Sequence, residues 1–386
     1  MARAPPPAGE LHLKLPLATA SLLTFALTVM AAQAQVSPAQ IDAIFAPLNS
    51  TTAPGAAVLV IRKGKPVFRR GYGVTDLRTL HPIGSTTNFR LASFTKQFTA
   101  ACIMLLVHDG KLHDDDHLTD IFPEFPAYGK SITIRNLLNH TSGLPDYEDI
   151  LMQQYPNTAD DKIPQIRDAG VLKLLEQQTG GKFPPGTSWE YSNSGYAVLA
   201  MIVEKVSGQP FGQFLHERIF IPLKMNHTLA YEKGKNEVPH RAYGHSRLGQ
   251  SETGTWHETD QSPTSAVLGD GGIYSSLDDL AKWDQALRQH TLLSAEEMKP
   301  ALTPVQPTGG PAKYPNGTTL SYGFGWFLDP YQGHKRMSHD GETVGFRTTI
   351  QRFPDDNLTI IVLANRADIN PDVALKVADL YVKAKP

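Results

Sequence analysis

Ser93 and Lys96 put a hydroxyl and an amine three residues apart at the start of the apolar run from Gln97 to Val107. On a helix, positions i and i+3 share a face, so the Lys96 amine would stand beside the Ser93 oxygen. Serine is a weak nucleophile at its free pKa and needs a neighbouring base. A lysine provides one only when burial or a nearby cation lowers its own pKa. The pair alone says little, because both residue types are common and a chain of this length holds roughly one such spacing by chance. An exposed polar helix start carries the same letters.

Two further segments follow in order. Tyr191-Ser192-Asn193 lies after the loop Phe183-Pro184-Pro185-Gly186-Thr187 and before an apolar run from Ala197 to Val206, and His339-Asp340-Gly341 lies between two β-rich stretches. With S-x-x-K, Y-x-N and H-x-G in this order, the chain resembles the serine β-lactamase and penicillin-binding-protein superfamily, in particular its class C-like branch. The flanking segments Leu137 to Tyr147, Gly269 to Ser275 and Gly341 to Phe346 are similar as well, and the resemblance covers nearly all of the chain after residue 40.

The resemblance implies a serine hydrolase in which Ser93 attacks a carbonyl and forms an acyl-enzyme that water clears. Lys96 and Tyr191 would carry the proton, with the resting base open between them. A tyrosine with an ordinary pKa near 10 serves only if nearby ammonium groups stabilise its anion. Asn193 would donate its amide to the substrate and help hold Lys96, while the backbone N–H groups of Ser93 and Glu342 would receive the oxyanion. Gly341 would leave room for the substrate backbone along its strand. β-Lactams, D-amino-acid peptides and small esters all fit this chemistry, and no metal or organic cofactor is implied. Two other readings are a small-ester carboxylesterase of the same fold and a sensor that penicillin or a cell-wall peptide acylates without turnover.

His339 occupies a position where many β-lactamases carry lysine. An imidazole is charged only below about pH 6.5 unless its surroundings shift it. The expectation is therefore weaker recognition of substrate carboxylates and a rate that follows His339 protonation. Arg347, on the next strand, is the candidate replacement cation, although an exposed sheet arginine is the plainer reading.

The elements that must position these groups are legible in part. Ser37-Pro38-Ala39-Gln40 has the form of an N-cap, a proline at N1 and a capping-box glutamine for a helix to about Leu48. Ala57 to Ile61 and Val67 to Tyr72 read as a hairpin around Lys63-Gly64. Near the other end, Tyr322 to Leu328, Lys335 to His339, Gly345 to Phe353 and Leu358 to Ala364 read as strands, with a turn at Pro354 to Asn357 and a closing helix from Asp372 to Val382. Between the ends lies a long helical middle, roughly residues 93 to 300. The fold class is α+β: one antiparallel sheet built from both chain ends, flanking helices, an inserted helical lobe, and a cleft between them. The stretch from Tyr147 to Gly170 reads as a motif-free loop over that cleft.

Arg3 and Lys14, the uncharged stretch Leu15 to Ala32 and Ala32-Gln33-Ala34 have the layout of a secretory signal peptide over residues 1–34. The expectation is a periplasmic or secreted domain from 35 to 386, with no stable membrane insertion after cleavage. Hydrophobic content of 41% suits a large packed core, and a net charge of −2 gives no footprint for nucleic acid. The partner is a small-molecule or peptide substrate, and no oligomeric state is readable. The single cysteine, Cys102, excludes an intrachain disulfide and reads as a buried structural thiol.

Other chemistries lack their marks. His113-Asp114-Asp115-Asp116-His117 has metal-like spacing but reads as a polar turn after a helix, and a zinc site needs convergent ligands with further support. There is no G-x-S-x-G elbow, since Gly244-His245-Ser246-Arg247-Leu248 lacks its final glycine. Gly71-Tyr72-Gly73 lacks the third glycine and helix start of a dinucleotide fingerprint.

Overall fold

The computed structural model describes residues 1–5, 36–248 and 254–385, and residues 37 onward form one contact unit. The expected signal peptide, beyond its first five residues, lies outside the described residues.

Both chain ends build the main sheet, as the residue pattern predicts. β1 (Ala56–Arg62) and β2 (Lys65–Tyr72) form a hairpin whose turn residues, Lys63 and Gly64, have φ of 49° and 75°. Left-handed angles at both positions give the turn whose twist matches paired strands. β8 (Met337–Thr343), β9 (Phe346–Phe353) and β10 (Leu358–Ala364) complete the antiparallel order β2-β1-β10-β9-β8. β1 and β10 pair from Ala56↔Ala364 to Arg62↔Leu358, which joins the two ends of the chain. Both are apolar runs buried along nearly their whole length, so both sheet faces must be covered there. β2 is one edge, and Lys65, Pro66, Arg69 and Arg70 protect it from further pairing. β8, which carries the H-x-G segment, is the other edge.

Helices cover the sheet. α1 (Pro38–Phe45) starts at the Ser37–Gln40 capping box and packs with α8 (Val373–Ala378), which lies on β9 and β10. The closing helix is shorter than its sequence suggests, although the Asn370 side chain does accept from the Asp372 N–H at 2.8 Å. α7 (Leu277–Gln289) packs against β1 and β10, its Ser276 cap accepting from Asp279.

The inserted lobe contains α2 (Lys96–His108), α3 (Tyr147–Gln154), α4 (Asp168–Glu176), α5 (Asn193–Ser207) and the single turn α6 (Leu268–Gly271). Residues 96 to 106 of α2 are all buried, so it is a central helix with no solvent face. α5 packs on α2 and α6 and ends at Gly208 in the left-handed region. Reading this lobe as purely helical is incomplete. β3 (Phe89–Arg90), β7 (Ile273–Ser275) and β4 (Leu229–Ala230) form a three-stranded sheet, and β5 (His245–Arg247) pairs with β6 (Trp256–Glu258). These strands are two or three residues long, too short to show a period.

Two stretches differ from expectation. Tyr147 to Gly170 is not a plain loop, because Asp146 accepts from the Glu148 N–H and starts α3, and a 3-10 turn follows at Asp160–Lys162. Tyr322 to Leu328 is not a strand. It folds back on itself, with Tyr322 bridged to Phe327, and these two rings pack around His339 while Phe324 and Trp326 enter the main core, instead of alternating across a sheet. β8 accordingly begins at Met337 and runs on to Thr343, through the whole motif.

Candidate active site

Ser93 sits in a 3-10 turn, Ala92–Thr95, that runs unbroken into α2 at Lys96. Ala92 has φ of 49°, a left-handed angle that costs a non-glycine residue roughly 1–2 kcal/mol. Surrounding bonds hold the strained turn in place. The Arg90 guanidinium donates to the Gly271 and Ser265 carbonyls, both at 3.1 Å, and Thr99 Oγ1 donates to the Gly269 carbonyl at 2.7 Å. Thr95 Oγ1 accepts from the Ile273 N–H at 3.3 Å. Ala92, Phe94, Thr95 and Lys96 are buried, while Ser93 alone in this turn is partly exposed.

The S-x-x-K and Y-x-N segments meet here as their order suggests. Lys96 is 0% exposed, and its Nζ donates to Ser93 Oγ at 3.0 Å, Asn193 Oδ1 at 2.8 Å and the Asp270 carbonyl at 3.0 Å. All three donor positions of the amine are used. Nζ also lies over the Tyr191 and Tyr196 rings, at 4.9 and 5.5 Å. The Tyr191 hydroxyl is buried and has no hydrogen-bond partner. A polar group left unmatched in a packed setting is unfavourable unless something later occupies it, and it belongs to the ring over which the amine lies.

An aromatic cage fixes that phenol. Tyr191 packs against His140, with ring centres 4.4 Å apart, and lies parallel to Phe327 at 6.4 Å. His140 is wholly buried, with φ of 64°, and its Nδ1 accepts from the Ser192 N–H at 3.1 Å. Burial, and then the Lys96 charge, hold its pKa well below the usual range, so it is a neutral, rigid support.

His339 departs from expectation. It is 2% exposed, and burial followed by the nearby Lys96 charge lowers its pKa to about 3, against one favourable contact to the Asp340 carbonyl. That carbonyl can only accept, so Nδ1, 2.7 Å away, carries the hydrogen, and Nε2 accepts from the Tyr322 hydroxyl at 3.1 Å. The ring is 6.2 Å from Tyr191 and neutral at any ordinary pH. It is not the titratable cation that a solvent-facing imidazole would be. Arg347 does not replace it: its Nη1 donates to the Thr343 and Phe346 carbonyls, which ties it to the β8–β9 turn. The Glu342 carboxylate is 3.6 Å from Arg347 Nε and mostly exposed, and the residue's backbone lies on the β8 edge.

Gly341 has a packing reason of its own to be glycine. A Cβ there would lie 2.0 Å from the Leu91 carbonyl oxygen and 2.4 Å from Thr348 Oγ1. The missing side chain lets β8 press against the segment that precedes Ser93, a contact that Thr348 reinforces by donating to the Leu91 carbonyl at 2.7 Å.

Three carboxylates near Lys96 escape sequence reasoning. Asp270 is buried, accepts from the Tyr147 hydroxyl at 2.8 Å, and is raised by burial against the opposing Lys96 charge. Asp168, raised by burial to about 7, accepts from the Leu268 and Gly269 N–H groups and so fixes the turn that offers the Asp270 carbonyl to Lys96. Glu148 Oε1 accepts from Asn193 Nδ2 at 3.3 Å, which engages one of the two Asn193 amide hydrogens. Asp270 and His140 do lie inside the similar flanking segments, but as single letters they carry no sign of what they touch. Cys102 is buried with a raised thiol pKa, an inert packing residue. His113 and His117 face Asp116 and Asp120 in surface turns, and among the described residues no cluster of side chains could hold a metal ion.

An antiparallel sheet flanked by helices, with a partly exposed serine hydrogen-bonded to a buried lysine at a helix start, describes a serine hydrolase of the β-lactamase fold. A family model described as Beta-lactamase matches residues 41–381. The chain belongs to that family, within the superfamily of serine β-lactamases and penicillin-binding proteins. It is 34% identical over 337 residues to penicillin-binding protein 4* of Bacillus subtilis, covering 85% of this chain and 72% of that one. Among solved structures it is similar to an octameric penicillin-binding-protein homologue from Pyrococcus abyssi, with TM-score 0.75, 25% identity, and coverage of 89% of this chain and 76% of that one. It is also similar to the D-amino acid amidase of Ochrobactrum anthropi SV3, with TM-score 0.73, 25% identity, and coverage of 89% and 96%.

Proposed function

We propose that this protein is an exported serine hydrolase that cleaves amides or esters of the D-amino-acid peptide class through an acyl-enzyme. The observation that carries the reading is the 3.0 Å contact between Ser93 Oγ and Lys96 Nζ, with Ser93 the one partly exposed residue of its turn. Ser93 Oγ bonds to the substrate carbonyl carbon, and its proton passes through the Lys96 and Tyr191 pair to the departing amine or alcohol as the scissile bond breaks. The Ser93 and Glu342 backbone N–H groups receive the oxyanion, and water then releases the acid and restores the hydroxyl. Export rests on the charged, apolar, small-residue pattern of residues 1–34.

The cleft favours this class over β-lactam antibiotics, whose carboxylate wants a cation. His339 is neutral, Arg347 is held by its own turn, and Lys96 has all its hydrogens engaged. The similarity to a D-amino acid amidase agrees with it. Incubation with a fluorescent penicillin and with a p-nitrophenyl ester tests the reading on wild type and Ser93→Ala. The expected result is steady ester turnover in the wild type alone, with penicillin labelling slow or absent. A single burst without turnover would replace the hydrolase with a sensor, and an equally active Ser93→Ala would remove Ser93 from the chemistry.

A further inference from the structure

A cavity of about 350 Å³ lies where the turn after β9 leads into β10 and meets the end of α7. None of Ser93, Lys96, Tyr191, Asn193 and His339 lines it. Its charged lining is all of one sign: Arg288, Arg352 and His290 face it, and among the described residues no aspartate or glutamate does. The two guanidinium groups share one end, because Arg288 donates to Asn357 Oδ1 at 3.1 Å and Arg352 pairs in register with Thr359, two residues along the chain. Arg352 is balanced by Asp284, which accepts from its Nε at 2.8 Å. Its Nη1 meets only the Met337 sulfur, a weak acceptor at 3.6 Å, and its Nη2 has no acceptor among the described residues. Arg288 is half-buried, and its partner is a neutral amide, so its charge is unbalanced. The acids of the adjoining turn, Asp355 and Asp356, pair with Lys335 and His334 instead. Much of the remaining wall is apolar, including Met298, Leu302, Met337 and Leu358. Leu302 is 38% exposed, which leaves an apolar lip beside the cations.

We propose that this cavity is a binding site for a medium-chain carboxylate, its head on Arg288 and Arg352 and its chain along Met298, Leu302 and Leu358. The volume is in the range of small-molecule sites and roughly twice the ~150 Å³ of an apolar cavity that holds benzene, which is room for about a dozen non-hydrogen atoms. Decanoate has that size. A purely apolar ligand would cover the Arg288 charge without a partner, which is unfavourable, and a cationic one would be repelled. A carboxylate supplies two acceptor oxygens to two guanidinium groups, and its chain takes the apolar wall out of water. Leu287, His290 and Met298 also wall a narrower apolar crevice beside α2, with about 30 Å³ of free space, so the chain has an apolar end to point toward. This site is separate from the chemistry at Ser93 and does not depend on it.

Calorimetric titration with decanoate and with decanol, both below the concentrations at which they aggregate, tests the assignment on wild type and Arg288→Met. Methionine keeps an apolar stem and removes the charge, and Arg352 is left alone because Asp284 needs it. The wild type should bind one decanoate per chain, about 10- to 100-fold more tightly than decanol, the size of one ionic hydrogen bond. Arg288→Met should bring decanoate down to the level of decanol and leave decanol unchanged. Leu302→Lys and Leu302→Glu, at an exposed position where folding is not at risk, should tighten and weaken decanoate respectively. No saturable decanoate binding, equal affinity for decanoate and decanol, or an Arg288→Met protein that binds decanoate as the wild type does would each overturn the proposal. Turnover of a p-nitrophenyl ester separates this site from the cleft. Arg288→Met should turn it over as the wild type does, and binding of decanoate that competes with the ester equally in both proteins would place the carboxylate at Ser93 and overturn the assignment.

Discussion

Replacing His339 with asparagine tests whether the third motif works as a charge or as a neutral support. Burial and the Lys96 charge lower its pKa from an ordinary 6.5 to about 3. At 1.36 kcal/mol per unit, protonating it in the folded state is unfavourable by about 5 kcal/mol relative to the unfolded chain. Between those two values the unfolded state holds a proton that the folded state lacks, so stability falls as pH is lowered. From pH 7 to 5 the loss due to this one ring is about 2 kcal/mol. Carboxylates such as Asp340, raised by burial to about 6, act in the opposite direction, but both proteins contain them and they cancel in the difference. Asparagine does not titrate. His339→Asn should be less stable at pH 7, through the lost Tyr322 and Asp340 contacts, and the gap to wild type should close by about 2 kcal/mol at pH 5. Urea midpoints at pH 7, 6 and 5 measure this, and kcat/KM on a p-nitrophenyl ester should keep the same pH profile in both proteins. A gap independent of pH, or a wild-type rate limb between pH 5 and 8 that the variant lacks, would mean that the folded ring does titrate there.

Tyr191→Phe removes a hydroxyl with no hydrogen-bond partner, so thermal stability should hold or rise slightly while ester turnover falls about 10²- to 10⁴-fold; turnover within a factor of two of wild type would exclude the phenol from proton transfer. Gly341→Ala puts a methyl group against the Leu91 carbonyl and Thr348, so β8 must move away from the Ser93 turn. A loss of about 1–3 kcal/mol in urea unfolding together with reduced turnover is expected, and a variant unchanged in both would show that the strand has slack there.

Chemistry-bearing residues were legible because reaction chemistry constrains residue type and order. Ser93, Lys96, Tyr191 and Asn193 could be picked out from three short segments, and the structure brings them within hydrogen-bonding or ring contact of Lys96. The hairpin, β9, β10 and the capped start of α1 were legible too, since each is set by local rules of alternation, turn residues and side-chain caps. Tyr322 to Leu328 misled for the same reason: alternating aromatic residues and glycines satisfy the local rule for a strand, while long-range packing around His339 needed them elsewhere.

The amino-acid sequence by itself determined which functional groups are present and that strands from the chain's two ends share one antiparallel sheet. Only tertiary structure decided the state of those groups, because burial and charge at a given atom are sums over residues from many parts of the chain. The imidazole of His339 became neutral through burial and Lys96, Arg347 was drawn off by its own turn, and Gly341 gained a packing contact with the segment before Ser93. Glu148 gained its place beside Asn193 only when α3 and α5, some 45 residues apart, came together.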